Sequence, residues 1–479
     1  MADADVVLAV DLDGTLTPAD TLHELALQLL RERPLDIFAL PFWLMKGRAS
    51  LKQRIAQRIQ PNPVSLPYNK TLLTWLTAEH AAGRKLALCT ASDEQVAQAI
   101  AGHLGIFDEV IASDGKSNLA GARKREALEQ RYGIKGYDYA GNSKADLTVW
   151  EGARHAIVVN ASAEIEREAA RRATVTKTVP REAITFTTVR RMLRIHQWVK
   201  NLLLGVPLLA AHQFQDSGSI MSLVLAFVAF SFCASAVYIG NDLLDLESDR
   251  RHARKRLRPF AAAVVPIPYG LVIAPLLLAA SFSLALFVAP AFAGWLGVYF
   301  TMTCAYSLVL KRIALVDSLL LAGLYTLRIV AGGAAVGVTV SFWLLALAIF
   351  LFLSLAFVKR FAELTTQAKE GVERIHGRGY AVSDAPLVQS MGVASGYLSV
   401  LVLALYLNSE AVAQLYAYPQ LIWFAIPVML LWVSWVWLKA HRGEMYDDPI
   451  VFAIKDKASL AMGAIVAITF IVASLWGAT

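Results

Sequence analysis

Beyond residue 200 the chain is a succession of apolar runs, each about 17–25 residues long, the length an α-helix needs to cross a ~30 Å hydrocarbon layer. Nine spans are expected, near 201–215, 219–241, 266–289, 291–309, 315–336, 341–358, 389–408, 419–439 and 459–477. The charges agree with this division. Of the 18 Lys and Arg after residue 200, 17 fall in four connections, 242–262, 310–314, 359–388 and 439–458, and the alternating connections hold none. Such an asymmetry puts the basic side in the cytoplasm. The expectation is a multi-pass protein of a bacterial cytoplasmic (inner) membrane, with residues 1–200 and the 242–262 loop cytoplasmic and the C-terminus opposite. A hydrophobic content of 56% is too high for one soluble globule, and residues 1–200 hold 27 of the 45 Lys and Arg. The net charge of +7 suits anionic membrane lipid and phosphorylated substrates better than nucleic acid. Cys89, Cys233 and Cys304 have neither disulfide-framework nor zinc spacing. No cleavable signal is expected, because Met1 runs almost at once into a polar, Asp-rich turn. The sequence leaves self-association into a homo-oligomer open.

Directly after the second apolar run stand Asn241, Asp242, Asp245, Asp249, Arg250, His252, Lys255, Arg256 and Arg258. Offsets of three and four residues predict that Asp242, Asp245 and Asp249 share one face of a helix. Three like charges there need a compensating cation. Mg²⁺ fits, since it takes a few carboxylate oxygens and completes its shell with substrate phosphate. The basic residues that follow offer donors to the same phosphate oxygens. The pattern reads as a metal–diphosphate site, the bland alternative being a basic loop with incidental acids.

In the soluble half, the short apolar strand Val6–Val10 ends in Asp11-Leu12-Asp13-Gly14-Thr15. Two carboxylates at a strand's carboxyl end suit phosphoryl transfer, one attacking phosphorus and the other handling the leaving-group proton. A second strand, Lys85–Leu88, leads to Thr90-Ala91-Ser92, Lys124 follows, and a third strand near Tyr137–Ala140 ends in Gly141-Asn142-Ser143-Lys144-Ala145-Asp146. These four motifs in order resemble the haloacid dehalogenase (HAD) superfamily of phosphatases. The resemblance implies an α/β Rossmann-like domain over 1–165 with a helical cap at about 18–80. Asp11 is then the nucleophile, Asp13 the acid/base, Thr90 and Lys124 the phosphate clamps, and Asp11, Asp13, Asn142 and Asp146 the Mg²⁺ site. Asn142 stands where the family usually has an acid, which removes one negative charge. Within the cap, the apolar and aromatic stretch Pro34–Lys46 either dips into the lipid interface or forms cap core. Residues 166–195, increasingly basic, are expected to be a juxtamembrane linker.

The Asn-Asp-x-x-Asp-x-x-x-Asp signature, the nine-span pattern and the basic-side acidic loop resemble the UbiA-type superfamily of intramembrane prenyltransferases. The implied fold for 196–479 is an all-α membrane bundle of nine helices. Most of that superfamily carries a second acidic pair, whereas here Asp317 faces Leu321 at the expected spacing. Other pieces resemble the decaprenyl-phosphate phosphoribosyltransferase branch: His196-Gln197-Trp198 with Lys200 and Asn201, the Asp249–Pro259 tail, Arg328 with Gly332-Gly333, and Lys359, Arg360 and Glu363. That branch implies phosphoribosyl diphosphate as donor and a polyprenyl phosphate as acceptor. Asp242, Asp245 and Asp249 would hold Mg²⁺. Lys200, Asn201, Asn241, Arg250, His252, Lys255, Arg256, Arg258, Lys311, Asp317, Arg328, Lys359 and Arg360 would line the substrates. Arg328, deep in the fifth run, marks a polar cavity, because an unpaired cation there is costly; an interhelical pair is the alternative. Asp456 and Lys457 open the last run. Removal of the 5-phosphate by the soluble half would then complete a two-step reaction. The alternative is an aromatic-acceptor prenyltransferase using a prenyl diphosphate, with a regulatory or inactive soluble half.

Overall fold

A computed structural model of the chain describes residues 6–211, 216–369, 371, 378–408, 416, 418–445 and 448–475. The chain divides into two compact units: residues up to Leu193 together with Tyr238–Ala274, and Arg194–Val237 together with the residues from Pro275 onward.

The first unit is built on a six-stranded, all-parallel sheet in the order β3-β2-β1-β4-β5-β6. Its strands are β1 (Val7–Val10), β2 (Leu86–Asp93), β3 (Glu109–Ser113), β4 (Tyr137–Gly141), β5 (His155–Val159) and β6 (Thr174–Val179). Parallel strands buried on both faces read as continuous apolar runs, which explains Val-Leu-Ala-Val and Leu-Ala-Leu-Cys. Alternation still sorts the faces. Leu8, Val10, Leu86 and Leu88 pack with the cap residues Leu25, Leu29, Trp43 and Ile55. Ala9, Ala87 and Cys89 face Tyr139, Leu128 and Trp150 on the other side.

The cap between β1 and β2 contains α1 (Thr21–Glu32), a 3₁₀ turn (Pro34–Ala39), α2 (Leu40–Met45), α3 (Arg48–Ala56) and α4 (Lys70–Ala81). Asp20 begins α1 by accepting hydrogen bonds from the Leu22 and His23 amides, the short-polar N-cap chemistry that satisfies orphan helix donors.

The segment expected to be a linker from 166 differs. Residues Ala163–Arg172 form a helix, with Glu164 and Glu166 in its first turn and Arg171 and Arg172 in its last. Residues Thr174–Val179 then add β6 beside β5. The edge strand Thr-Val-Thr-Lys-Thr-Val exposes its three threonines and fully buries only Val179, so it lacks the buried signature of its neighbours. A further helix, Phe186–Met192, falls where the linker was expected to continue.

The nine expected spans are not all present as such. Among the described residues six helices are long and apolar enough to cross a membrane: Ser217–Leu244, Ile267–Val288, Val316–Val336, Phe342–Lys369, Val382–Leu407 and Gln420–His441. The pair Pro449–Lys455 and Lys457–Ala473, bent by 82°, raises the number to seven if it is one span. The expected first run is instead a 3₁₀ segment, Ile195–Gly205, followed by the short helix Val206–Ala210. Its polar side chains are spent sideways: Trp198 donates to Ser235 Oγ at 2.9 Å and Asn201 to Ser231 Oγ at 2.9 Å. The expected 291–309 run is the helix Pro290–Leu308, whose glycines, threonines, Tyr306 and Ser307 lower its hydropathy. Residues 212–215, at the end of the expected first run, and residues 370, 372–377 and 409–415, in expected connections, lie outside the described residues. In the second unit, a Cβ at Gly332 would stand 2.0 Å from the Leu204 carbonyl oxygen. Only glycine therefore lets the 3₁₀ segment lie against Val316–Val336.

Asp138 on β4 ties the sheet's lower edge together. It accepts from Arg154 Nε at 2.9 Å, from the His155 amide at 3.0 Å, and from the buried guanidinium of Arg84. Burial alone would raise its pKa, but Arg154 and Arg84 outweigh it and hold the carboxyl below its usual range. A depressed folded-state pKa contributes stability above the unfolded value of about 3.9, lost as pH falls through the lower folded value. Asp138→Asn is expected to destabilise the first unit by about 3 kcal/mol at neutral pH, because it strands a buried cation. Scanning fluorimetry from pH 7 down to 3 should show wild type losing its advantage over the variant only at the acid end.

Candidate functional site

The first polar centre lies at the carboxyl ends of β1, β2 and β4. β1 delivers Asp11, whose amide still donates to the Ala140 carbonyl at 2.9 Å as if the strand continued. The chain then turns through Gly14 at φ +77, where a Cβ would meet Asn142 Nδ2 at 2.0 Å. Glycine supplies both the left-handed backbone and the space. Asp13 is consequently turned toward the cap: its carboxylate accepts from the Thr21 amide at 2.8 Å and from Ser92 Oγ at 2.6 Å.

The helix Ala122–Tyr132 supplies Lys124, buried, with Nζ 2.8 Å from Asp11 Oδ1, 2.8 Å from Tyr139 Oη and 3.9 Å from Asp146 Oδ1. Asp146 Oδ2 is fixed by the Asn142 and Ser143 amides at 3.1 and 2.9 Å and by Ser143 Oγ at 2.7 Å. Thr15 Oγ1 donates to Asn142 Oδ1 at 3.3 Å. Thr90 is fully buried, its Oγ1 accepting from the Ser92 amide at 3.0 Å. Thus the structure brings Asp11, Lys124, Asn142 and Asp146 together. Lys52 was not foreseen. It reaches from the cap helix Arg48–Ala56 to the Ala91 carbonyl at 2.7 Å, beside the Thr90-Ala91-Ser92 turn. Nothing in a helical insertion marks such a lysine, because its neighbours come from 39 residues away.

Burial pushes the Asp11 carboxyl up to about 7; Lys124 opposes this, while Asp146 and Asp13 add to it. Burial likewise raises Asp13. Lys124 is held above the ordinary lysine range because Asp11 and Asp146 outweigh its own burial. The centre is therefore short of positive charge, and its carboxylate and amide oxygens are the donor type Mg²⁺ takes.

The second centre belongs to the same compact unit. Asp242 lies near the end of Ser217–Leu244, Asp245 at the break, and Asp249 in the helix Leu246–Arg251. Asp242 and Asp249, both buried, converge on Arg258, whose Nη1 is 3.1 Å from Asp242 Oδ1 and also bonds Asp249 Oδ2. Lys255 Nζ is 4.0 Å from Asp249. Asn241 and Asp245 are half-buried, and Arg256 is exposed. Among the described residues no group of three or more His, Cys, Asp and Glu side chains is placed to hold a metal ion. A pair of converging carboxylates still fits Mg²⁺, which fills the rest of its shell with phosphate and water. Two expected substrate ligands point elsewhere. Arg250 donates bidentately to Glu24 on α1, at 2.6 and 3.0 Å, and to the Ala261 carbonyl at 2.8 Å. His252 Nδ1 accepts from the Arg254 amide at 3.2 Å.

Three charged clusters stand out among the described residues of the second unit. Lys200 Nζ lies 2.7 Å and Lys359 Nζ 3.5 Å from Asp448, which also accepts from Tyr325 Oη at 3.2 Å. Burial would raise the Asp448 carboxyl, but Lys200 and Lys359 outweigh it and hold it below the carboxylate range. A small pocket lined by Leu321, Tyr325, Lys359 and Asp448 opens here. Asp448 was missed; its Asp-Asp-Pro context in a basic connection was the available signal. Arg328 donates to Asn201 Oδ1 at 3.0 Å, the Leu324 carbonyl at 2.6 Å and Tyr299 Oη at 3.0 Å, with its guanidinium 4.8 Å from the Tyr299 ring. Asn201 and Tyr299 lie on other elements, whereas Leu324 is one turn back on Arg328's own helix. Arg360 Nε lies 2.7 Å from Asp317 Oδ2, both side chains wholly buried, with Tyr306 and Arg378 also on Asp317. Lys311 is half-buried in the turn Leu310–Arg312. Asp456 accepts from Ser459 and Trp435, caging the bend before Lys457–Leu475.

If the Asp317–Arg360 pair is structural, Asp317→Asn and Arg360→Gln should each cost about 3–5 kcal/mol. The double variant should then cost clearly less than their sum, read as thermal unfolding in detergent.

The UbiA prenyltransferase family model matches residues 202–453. An uncharacterised protein of Sinorhizobium fredii is 37% identical over 98% of this chain and 92% of its own length. Decaprenyl-phosphate phosphoribosyltransferase of Corynebacterium glutamicum is 38% identical over 187 residues, 38% of this chain and 56% of that enzyme. Among solved structures, a HAD family hydrolase from Salmonella enterica serovar Typhi aligns with 37% of this chain and 67% of its own, at 19% identity and a TM-score of 0.28. With more than half of its length matched by the family model and a relative alike end to end, the chain belongs to the UbiA prenyltransferase family.

Proposed function

We propose that this protein transfers a 5-phosphoribosyl group from phosphoribosyl diphosphate to a polyprenyl phosphate, and then removes the 5-phosphate to give polyprenylphosphoryl ribose. The observation that carries this reading is the presence, in one compact unit, of the Asp11–Lys124–Asp146 centre and the Asp242–Arg258–Asp249 centre. The likeness to decaprenyl-phosphate phosphoribosyltransferase supports the choice of donor and acceptor. The protein would sit in the cytoplasmic membrane of a bacterium, with the sheet domain on the cytoplasmic side.

In the first step the C1–O bond to diphosphate breaks, and a phosphate oxygen of the lipid forms the new C1–O bond. Pyrophosphate leaves and no net proton moves. The nucleophile is already anionic, so positioning rather than a strong base is required. Lys255, Arg256 and Arg258 offer donors to the diphosphate, while Lys200, Lys359 and Arg328 are assigned to phosphate oxygens in the second unit. Asp317 is committed to Arg360, which leaves no second acidic pair of the kind a prenyl diphosphate donor calls for.

In the second step Asp11 attacks the 5-phosphate, and Asp13 gives a proton to the departing ribose oxygen. Asp13 then takes a proton from the water that cleaves the aspartyl phosphate. Thr90 and Lys124 hold the phosphoryl oxygens. Asp11, Asp13, Asn142 and Asp146 would hold Mg²⁺ in one centre, and Asp242 and Asp249, with Asp245 at the helix break beside them, would hold it in the other, where the ion would supply positive charge against the phosphate and diphosphate groups.

With radiolabelled phosphoribosyl diphosphate and polyprenyl phosphate, wild type should yield labelled lipid without its 5-phosphate. Asp11→Asn should stop at the 5-phosphorylated lipid. Asp242→Asn should lower labelled lipid by at least about 10²-fold, on the scale of losing one electrostatic stabiliser, and chelation with EDTA should abolish both steps. No labelled lipid from any form would refute the reading. Asn142→Asp restores a charge and should lower the Mg²⁺ concentration needed for the second step.

A further inference from the structure

The cap presents an apolar stripe to the outside. Leu35, Phe38, Phe42 and Met45 are 80, 73, 67 and 84% exposed. Their spacings of three, four and three residues place them along one side of the helical stretch Pro34–Met45, while Trp43, on another side, is 5% exposed and packs into the core. The Arg58 guanidinium covers the Trp43 ring at 4.4 Å, so the stretch is anchored from beneath. Of the two fates expected for this segment, cap core does not describe the outward stripe. Four large apolar side chains in a row along one side of a helical stretch mark a docking surface.

We propose that this stripe docks on an anionic bilayer surface and delivers lipid-borne phosphate esters to the Asp11 centre. Three observations favour lipid. Among the described residues six helices are long and apolar enough to cross a membrane, so the chain that carries the cap is tethered to a bilayer. Exposed cations, Arg31 and Arg33 before the stripe and Lys46 and Arg48 after it, suit anionic headgroups at its two ends. The apolar stretch has twelve residues, too few to span and right for lying in the interface plane. The delivery clause rests on the phosphatase reading. It follows from Lys52, which stands on the helix directly after the stripe and reaches the Ala91 carbonyl at the phosphate-binding turn. The cap thus links the lipid-facing stripe to the reacting centre.

The full-length protein, carrying Cys304→Ser and Phe42→Cys labelled with bimane, is placed in nanodiscs containing phosphatidylglycerol with bromine on the acyl chains. Ile134→Cys, at an exposed position elsewhere on the domain, serves as the reference. Quenching at position 42 should be at least threefold greater than at 134. Equal quenching at the two positions overturns the proposal, as does shielding of position 42 by a second copy, read as energy transfer between labelled protomers. In a second arm, Phe38→Ser/Phe42→Ser should hydrolyse p-nitrophenyl phosphate at the wild-type rate but the phosphoribosyl lipid about tenfold more slowly. An unchanged rate on the lipid overturns the delivery clause. Absence of phosphoribosyl-lipid turnover in wild type would refute the two-step reading instead, and the bimane arm would still decide the docking.

Discussion

Three polar centres of this protein are each a pair of like charges gathered about one opposite charge, and the burial of those charges constrains what surrounds them. Asp11 and Asp146 flank Lys124; Asp242 and Asp249 flank Arg258; Lys200 and Lys359 flank Asp448. Burying one charge is costly, and burying two of the same sign is tolerable only with a counter-charge and good hydrogen bonds. The bridging group is thus the stand-in for what a ligand would bring. Where acids flank a base, a divalent cation or a basic-side phosphate complex can enter the arrangement. Where lysines flank an acid, an anionic oxygen can.

This also explains which parts of the fold and site were legible in the sequence. β1, β2 and β4 are short buried runs ending in acid, hydroxyl or glycine, and both the strands and the residues at their ends came through. β6 did not, because an exposed edge strand of alternating Thr and Val looks like linker. The spans were legible as apolar lengths, but length does not reveal backbone form. The run after Ile195 carries Trp198, Lys200 and Asn201, whose hydrogen bonds to neighbouring helices favour a 3₁₀ path over a span. Arg250 looked like a phosphate ligand because it stands in a basic run. Only the tertiary fold brings Glu24, 226 residues away in sequence, to its guanidinium. Lys52 and Asp448 were missed for the same reason: an isolated charge acquires meaning from what long-range packing sets beside it.

The Glu24–Arg250 pair deserves a physical reading of its own, since both side chains are nearly buried, at 12 and 8% exposure. A bidentate carboxylate–guanidinium fork fixes direction as well as distance. Asn62 reinforces it from the same cap by donating to Glu247 at 2.5 Å. These contacts explain why the acidic segment falls in one compact unit with the sheet domain, although the 44 residues Arg194–Val237 intervene between Leu193 and Tyr238 (a gap whose closure cost grows only slowly with length).

Helix α1 is the element that both carboxylate centres share. Its first residue, Thr21, fixes Asp13 through its amide, and one turn later Glu24 holds Arg250, the residue after Asp249. Three residues of α-helix span about 4.5 Å, and a capped, packed turn of that length moves as a piece. A shift of α1 large enough to release Asp13 from the Thr21 amide would therefore pull on the helix that carries Asp249. The two acid groups are referenced to one rigid turn instead of to a flexible tether. Under the proposed two-step reading, whose lipid product would stay in the plane of the bilayer, such a shared frame would fix the geometry of the second centre, and confinement to the membrane would raise the local concentration of its substrate.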